Sequence, residues 1–105
     1  MSFNGNEGAV IPLADAAALT KAYKDANSGD PNLILAHFVG INTLKQILDQ
    51  PGCMGLRTYY ALDANGKKKL VLVAADANEN DITAVVLDKG VDCPISCGAN
   101  NTLNS

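Results

Sequence analysis

The sequence has no excess of basic residues: 8 Lys+Arg stand against 11 Asp+Glu, for a formal net charge of -3. Nothing in it builds a basic face, which argues against a nucleic-acid partner. No apolar run approaches the roughly 20 residues that a membrane-spanning helix needs, so membrane insertion is not expected. The first residues, Met1-Ser2-Phe3-Asn4-Gly5-Asn6-Glu7, lack the basic and apolar stretches of an export signal. A cytoplasmic location with reduced thiols is the expectation. Charged residues are scarce, 18% against 48% hydrophobic ones, which excludes a disordered acidic chain. What is present is 105 residues, one domain's worth, able to bury roughly 65% of its unfolded surface.

The first half reads as helical, 12–50. Pro12 suits a first helical turn, and Ala16, Leu19, Tyr23 and Ala26 form one narrow apolar stripe over 12–27. Lys21 and Asp25, four apart, face solvent. Asn27-Ser28-Gly29-Asp30-Pro31 ends this helix. The apolar run 33–39 has no periodicity that decides between helix and strand. Gly40 breaks it, and Asn42 can cap a further helix with Leu44, Ile47 and Leu48 inward, ended by Pro51-Gly52.

From 55 to 88 the pattern changes to strands, at 56–62, 69–75 and 82–87. Asp63-Ala64-Asn65-Gly66 is a hairpin turn, since Asn and Gly accept positive φ cheaply. The Asp-Ala-Asn triplet returns at 76–78, read as the same turn chemistry used twice. The expected fold is an α+β domain: two or three short N-terminal helices on a three-stranded antiparallel meander. Residues 89–105 read as an irregular, cysteine-containing tail.

The middle strand, 70–75, carries no polar side chain, so both of its faces need cover. Short helices can blanket one face. The other, with Val71 and Val73 flanked by Tyr59 and Val85, is expected to be left apolar unless 33–39 covers it. Burying roughly 600 Å² there is worth on the order of 15 kcal/mol before association costs, enough for a homo-oligomer. Tyr59 and Tyr60 alternate across their strand, so at most one faces the core and the other suits an interface.

Three cysteines and one histidine could carry chemistry. Cys93 and Cys97 have a C-x3-C spacing, and Cys53 with His37 would complete a Cys3His zinc set. A disulfide between two of the three cysteines is the competing reading. A thiol enzyme would use Cys53 as nucleophile and His37 as base. Cys53, however, follows a helix C-terminus, whose partial negative charge raises a thiol pKa. Asp76, Asn78, Asn80 and Asp81 resemble the start of a calcium loop, but Asp81 and Leu87 stand where glycine and a bidentate glutamate are needed. Lys67-Lys68-Lys69 reads as a solvated edge that blocks stray pairing. Arg57, the one arginine, is expected to bind an anion or to pair with an aspartate of the 76–81 loop.

The stretch Pro51-Gly52-Cys53-Met54-Gly55-Leu56-Arg57-Thr58-Tyr59-Tyr60, with Gly66, Leu70-Val71-Leu72-Val73 and Cys93-Pro94 before Cys97, resembles a small family of bacterial proteins of about this length. The likeness covers about half the chain, from 51 to 97. It implies that the cysteines and the hairpin belong to one recurring domain, and it carries over no catalytic residue. Three functions follow from the residues: a non-catalytic, self-associating interaction protein without a small-molecule substrate, a zinc domain, or a thiol enzyme. The first is the leading one.

Overall fold

The computed structural model of the chain describes residues 2–88, 90–94 and 96–105. The elements are α1 (Leu13–Ala26), β1 (Ala36–Phe38), α2 (Ile41–Leu48), β2 (Gly55–Leu62), β3 (Lys68–Ala75), β4 (Asp81–Leu87) and β5 (Val91–Cys93). Strands β2, β3 and β4 form an antiparallel meander in chain order, and β1 pairs antiparallel with β5. The α+β class and the meander are as expected, with two helices among the described residues. The undecided 33–39 run supplies a strand, because Ala36–Phe38 finds a partner in Val91–Cys93, inside the segment read as irregular. No helix among the described residues is long and apolar enough to cross a membrane.

The two turns of the meander are built alike. In the first, Asp63 Oδ1 accepts the backbone N–H groups of Asn65 and Lys67, and Asp63 N–H donates to Lys67 O. In the second, Asp76 Oδ1 accepts those of Asn78 and Asn80, and Asp76 N–H donates to Asn80 O. The fourth residue of each turn takes positive φ: 78° at Gly66 and 69° at Glu79. An aspartate that satisfies two turn amides explains why the same triplet serves twice.

Helix α1 begins after Pro12, whose extended conformation delivers the chain into the first turn, and Asn27 closes its end by bonding Tyr23 O through N–H and Nδ2. Every residue of α1 keeps some exposure. Its attachment runs through Tyr23, whose hydroxyl donates to Ile34 O and whose ring lies 4.6 Å from Lys68 Nζ. Helix α2 starts two residues earlier than expected. Leu44 N–H bonds Gly40 O, so Gly40 rather than Asn42 occupies the cap. Leu48 turns outward, because the core stripe of α2 runs through Leu44 and fully buried Ile47.

Ile47 packs with Leu72 and Ala74 of β3, and around them lie Val39, Cys53, Leu70, Ile82, Val85 and Leu87. Strand alternation puts Leu70, Leu72 and Ala74 on this helix-facing side of the sheet and Val71, Val73 and Ala75 on the far side.

Candidate functional site

The far side of the sheet is covered by the chain's own polar side chains. Arg57 and Tyr59 of β2 pair across from Val73 and Val71 of β3. Both reach past β3 to Asp81 of β4: Arg57 Nη1 is 2.5 Å from Oδ1 and Tyr59 Oη 2.5 Å from Oδ2. Strands two apart are separated by about 9.5 Å, so these side chains must span the intervening strand. Arg57 also donates to Glu79 O, and its guanidinium lies 5.4 Å from the Phe3 ring. Beneath the bridge Val73 is only 2% exposed. The Tyr59 and Arg57 bonds hold the Asp81 carboxyl below the ordinary aspartate range, and the Asp81 bond raises Tyr59 and Arg57 above theirs. Of the two readings of Arg57, pairing with an aspartate of the 76–81 loop is the one the fold realises.

The four expected interface residues are therefore divided. Val73 is buried and Val71 half-buried. Val85 lies on the opposite side, against the helix-packed core. Tyr59, 45% exposed, has its hydroxyl on Asp81. The expectation of a bare Val71 and Val73 face is revised, because Arg57 and Tyr59 are long enough to roof it. The 33–39 run plays no part in that roof, since β1 pairs with β5.

The open apolar surface lies on the helix-facing side, along β2. There Leu56 is 42%, Tyr60 85% and Leu62 72% exposed, with exposed Thr58 between them. Helix α2 is only eight residues long and covers the Leu72 and Ala74 end alone. Two grooves of about 570 and 690 Å³ remain on either side of His37 and Leu70. The first lies between Leu19 and Tyr23 of α1, Tyr60, and Leu103 of the C-terminal tail. The second runs from Val39 and Leu44 to Leu56 and Thr58. Chain alternation placed Tyr60 opposite in face to Tyr59. What the sequence could not signal is that the helix would stop short of Tyr60.

Cys93 and Cys97 are joined in a disulfide, with a Cα–Cα distance of 4.7 Å. This realises the competing reading of the cysteines, and sulfurs bonded to each other are not thiolate ligands. Cys53 is free and half-buried, and its Sγ donates to Gly55 O at 3.4 Å. His37 pairs with Asp92 across β1 and β5, and its Nε2 lies 3.1 Å from Lys68 O and 3.3 Å from Asp92 Oδ1. Pairing of β3 with β4 reaches only to Leu72. His37 therefore meets a carbonyl on the stretch of β3 that β4 leaves open, where Lys68 and Lys69 also sit. The hydrogen bonds of Cys53 and His37 run to different groups, so no nucleophile–base pair is formed by them. The expected Cys53, Cys93, Cys97 and His37 zinc set is not assembled either: among the described residues no group of three or more His, Cys, Asp or Glu is placed to hold a metal ion. Asp76 Oδ1, which the calcium reading would use, is occupied by two backbone amides.

The C-terminal tail folds back on the chain. Asn104 Nδ2 donates to the carbonyls of Cys97 and Ala99, and Asn101 and Asn104 bond each other. Comparison with protein-family models, with curated proteins and with solved structures matched none of them to this chain.

Proposed function

We propose that the chain is a non-catalytic interaction domain that self-associates through an apolar sheet face, the one carrying Leu56, Tyr60 and Leu62. The observation that carries the reading is Tyr60, a large aromatic side chain 85% exposed in the middle of a strand. Tyrosine so placed offers wide contact area at small entropic cost. Neighbouring Leu56 and Leu62 extend it into one stripe, and Leu19 and Leu103 border the groove beside it. Covering roughly 600 Å² of such surface contributes on the order of 15 kcal/mol gross, of which association entropy removes about 4–15 kcal/mol. A stable pair of copies is within that range.

The Cys93–Cys97 disulfide bears on location. Disulfides persist where the surroundings are oxidising and are rare in the reducing cytosol. It supports a working site outside the reducing cytosol in place of the cytoplasmic expectation.

Light scattering on the eluting chain tests the function. The reading expects a mass above one chain at micromolar concentration, and a shift to one chain in the Tyr60→Ser, Leu62→Ser double variant. A monodisperse single chain at every concentration removes it.

A further inference from the structure

We propose that two copies join by pairing their β2 edges antiparallel about a two-fold axis at Tyr59, merging two three-stranded sheets into one continuous sheet. This rests on the self-association reading and names the atoms that meet.

Backbone geometry leads to it. Asp63 N–H bonds Lys67 O at 2.9 Å, continuing the register in which Leu62 faces Lys68. In an antiparallel ladder hydrogen-bonded and non-hydrogen-bonded pairs alternate. Residues 55, 57, 59 and 61 therefore bond β3, and the N–H and C=O groups of Leu56, Thr58, Tyr60 and Leu62 point out of the sheet. Among the described residues no hydrogen bond reaches those groups.

The two outer strands of the meander differ. Pairing of β4 with β3 is interrupted between Val73 and Ala74, whereas β2 keeps one register over all eight of its residues. Sheet edges are ordinarily guarded by lysine, proline, a bulge or a covering loop. Strand β2 contains neither lysine nor proline, and its one charged side chain, Arg57, is turned across the sheet to Asp81. Two copies thus bring no unpaired like charges together on this edge. A long, flat, apolar edge of this kind is a template for another strand.

Symmetry selects the register. With Leu56 opposite Leu62 and Thr58 opposite Tyr60, all four outward residues bond their counterparts, and Tyr59 meets Tyr59. Registers centred on Thr58 or Tyr60 engage one residue fewer on each copy. The same pairing brings the exposed Leu56, Tyr60 and Leu62 of both copies onto one face. It also has room. A cleft of about 400 Å³ separates the segment around Phe3, Gly5 and Glu7 from the start of β2. The hairpin end of the second copy arrives there, with Asp63 opposite Gly55 and Lys67 one strand farther out.

The test uses the full chain in light scattering together with two variants. Thr58→Pro removes an outward N–H, which an edge strand tolerates, and is expected to weaken association at least tenfold with the circular dichroism spectrum retained. Tyr59→Cys in a Cys53→Ser background is expected to form a covalent dimer under oxidised glutathione, because facing residues of a non-hydrogen-bonded pair lie within disulfide reach. Ala61→Cys in the same background is expected to stay uncrosslinked. A wild-type chain that is always single overturns both this proposal and the function it rests on. An association that survives Thr58→Pro unchanged, with no crosslink at 59, overturns the edge pairing and leaves self-association standing.

Discussion

Arg57 and Asp81 meet at 2.5 Å across the breadth of β3, and together with Tyr59 they enclose Val73, the middle one of the three far-side residues Val71, Val73 and Ala75. The relationship joins the two outer strands of the meander without any backbone bond between them. Val73→Ala is expected to cost about 2 kcal/mol, in the range of buried large-to-small changes, and half-buried Val71→Ala less. Urea midpoints of the two variants check the order. Asp81→Asn is expected to lower the midpoint as well, since it removes the charged acceptor that both bridging side chains use.

Acid should weaken the fold through two aspartates. Asp81 is held below the ordinary range by Tyr59 and then Arg57, and Asp63 by the N–H of Lys67 and then of Asn65. A depressed folded-state pKa means that the unfolded chain takes up protons first. The stabilisation is complete above the ordinary aspartate pKa of about 4 and is lost as pH falls below it. Tyr59 runs the other way: its raised pKa gives a contribution present below about pH 10 and lost as pH rises through the folded value. Urea midpoints against pH are expected to decline at both ends, with the acid decline shallower in Asp81→Asn. Equal acid slopes in the two proteins would contradict the assignment.

Opening the disulfide should loosen the C-terminal end first. Closure of so short a loop is worth about 2 kcal/mol in the chain-entropy treatment. Cys97→Ser is expected to lower global stability by about that amount. Backbone amide exchange should rise over 91–104, because Asn104 is tethered to the Cys97 carbonyl and Cys93 pairs with Ala36. An exchange pattern identical to the oxidised protein is the contrary result.

The matched turns make a further prediction. Gly66 and Glu79 hold the same left-handed position in two turns with the same bonds, and only glycine does so without a steric penalty. Glu79→Gly is expected to raise stability by about 1 kcal/mol and Gly66→Ala to lower it by about the same. Thermal melts of both variants decide this, and a destabilised Glu79→Gly would show that its side chain contributes more than its backbone costs.

Much of this was legible along the chain. The breaks at 27–31 and 51–52, the α1 segment and the doubled Asp-Ala-Asn turn depend on contacts within about five residues, and the β2–β4 segments show in their β-branched and aromatic composition between those turns. They could be read from residue type and spacing. Helix α2 begins two residues before the expected start, because Gly40 offers its carbonyl to Leu44 and so takes the cap from Asn42. Strand β5 was missed because Val91–Cys93 is three residues long and exists only against β1. The cysteine pairing was one of several open arrangements, since spacing alone admits zinc or sulfur as the partner.

Local chemistry, then, was enough for the order of the elements, the turns and the presence of a middle strand greasy on both sides. It could not say which side would be roofed, because period-two alternation treats the two faces of a strand as equivalent. That choice was made in three dimensions. Helix α2 seats Ile47 on Leu72 and Ala74, which sends Arg57 and Tyr59 to the opposite side, where β4 presents Asp81. The same choice leaves Tyr60 and Leu62 beyond the reach of an eight-residue helix, on the strand whose edge is open.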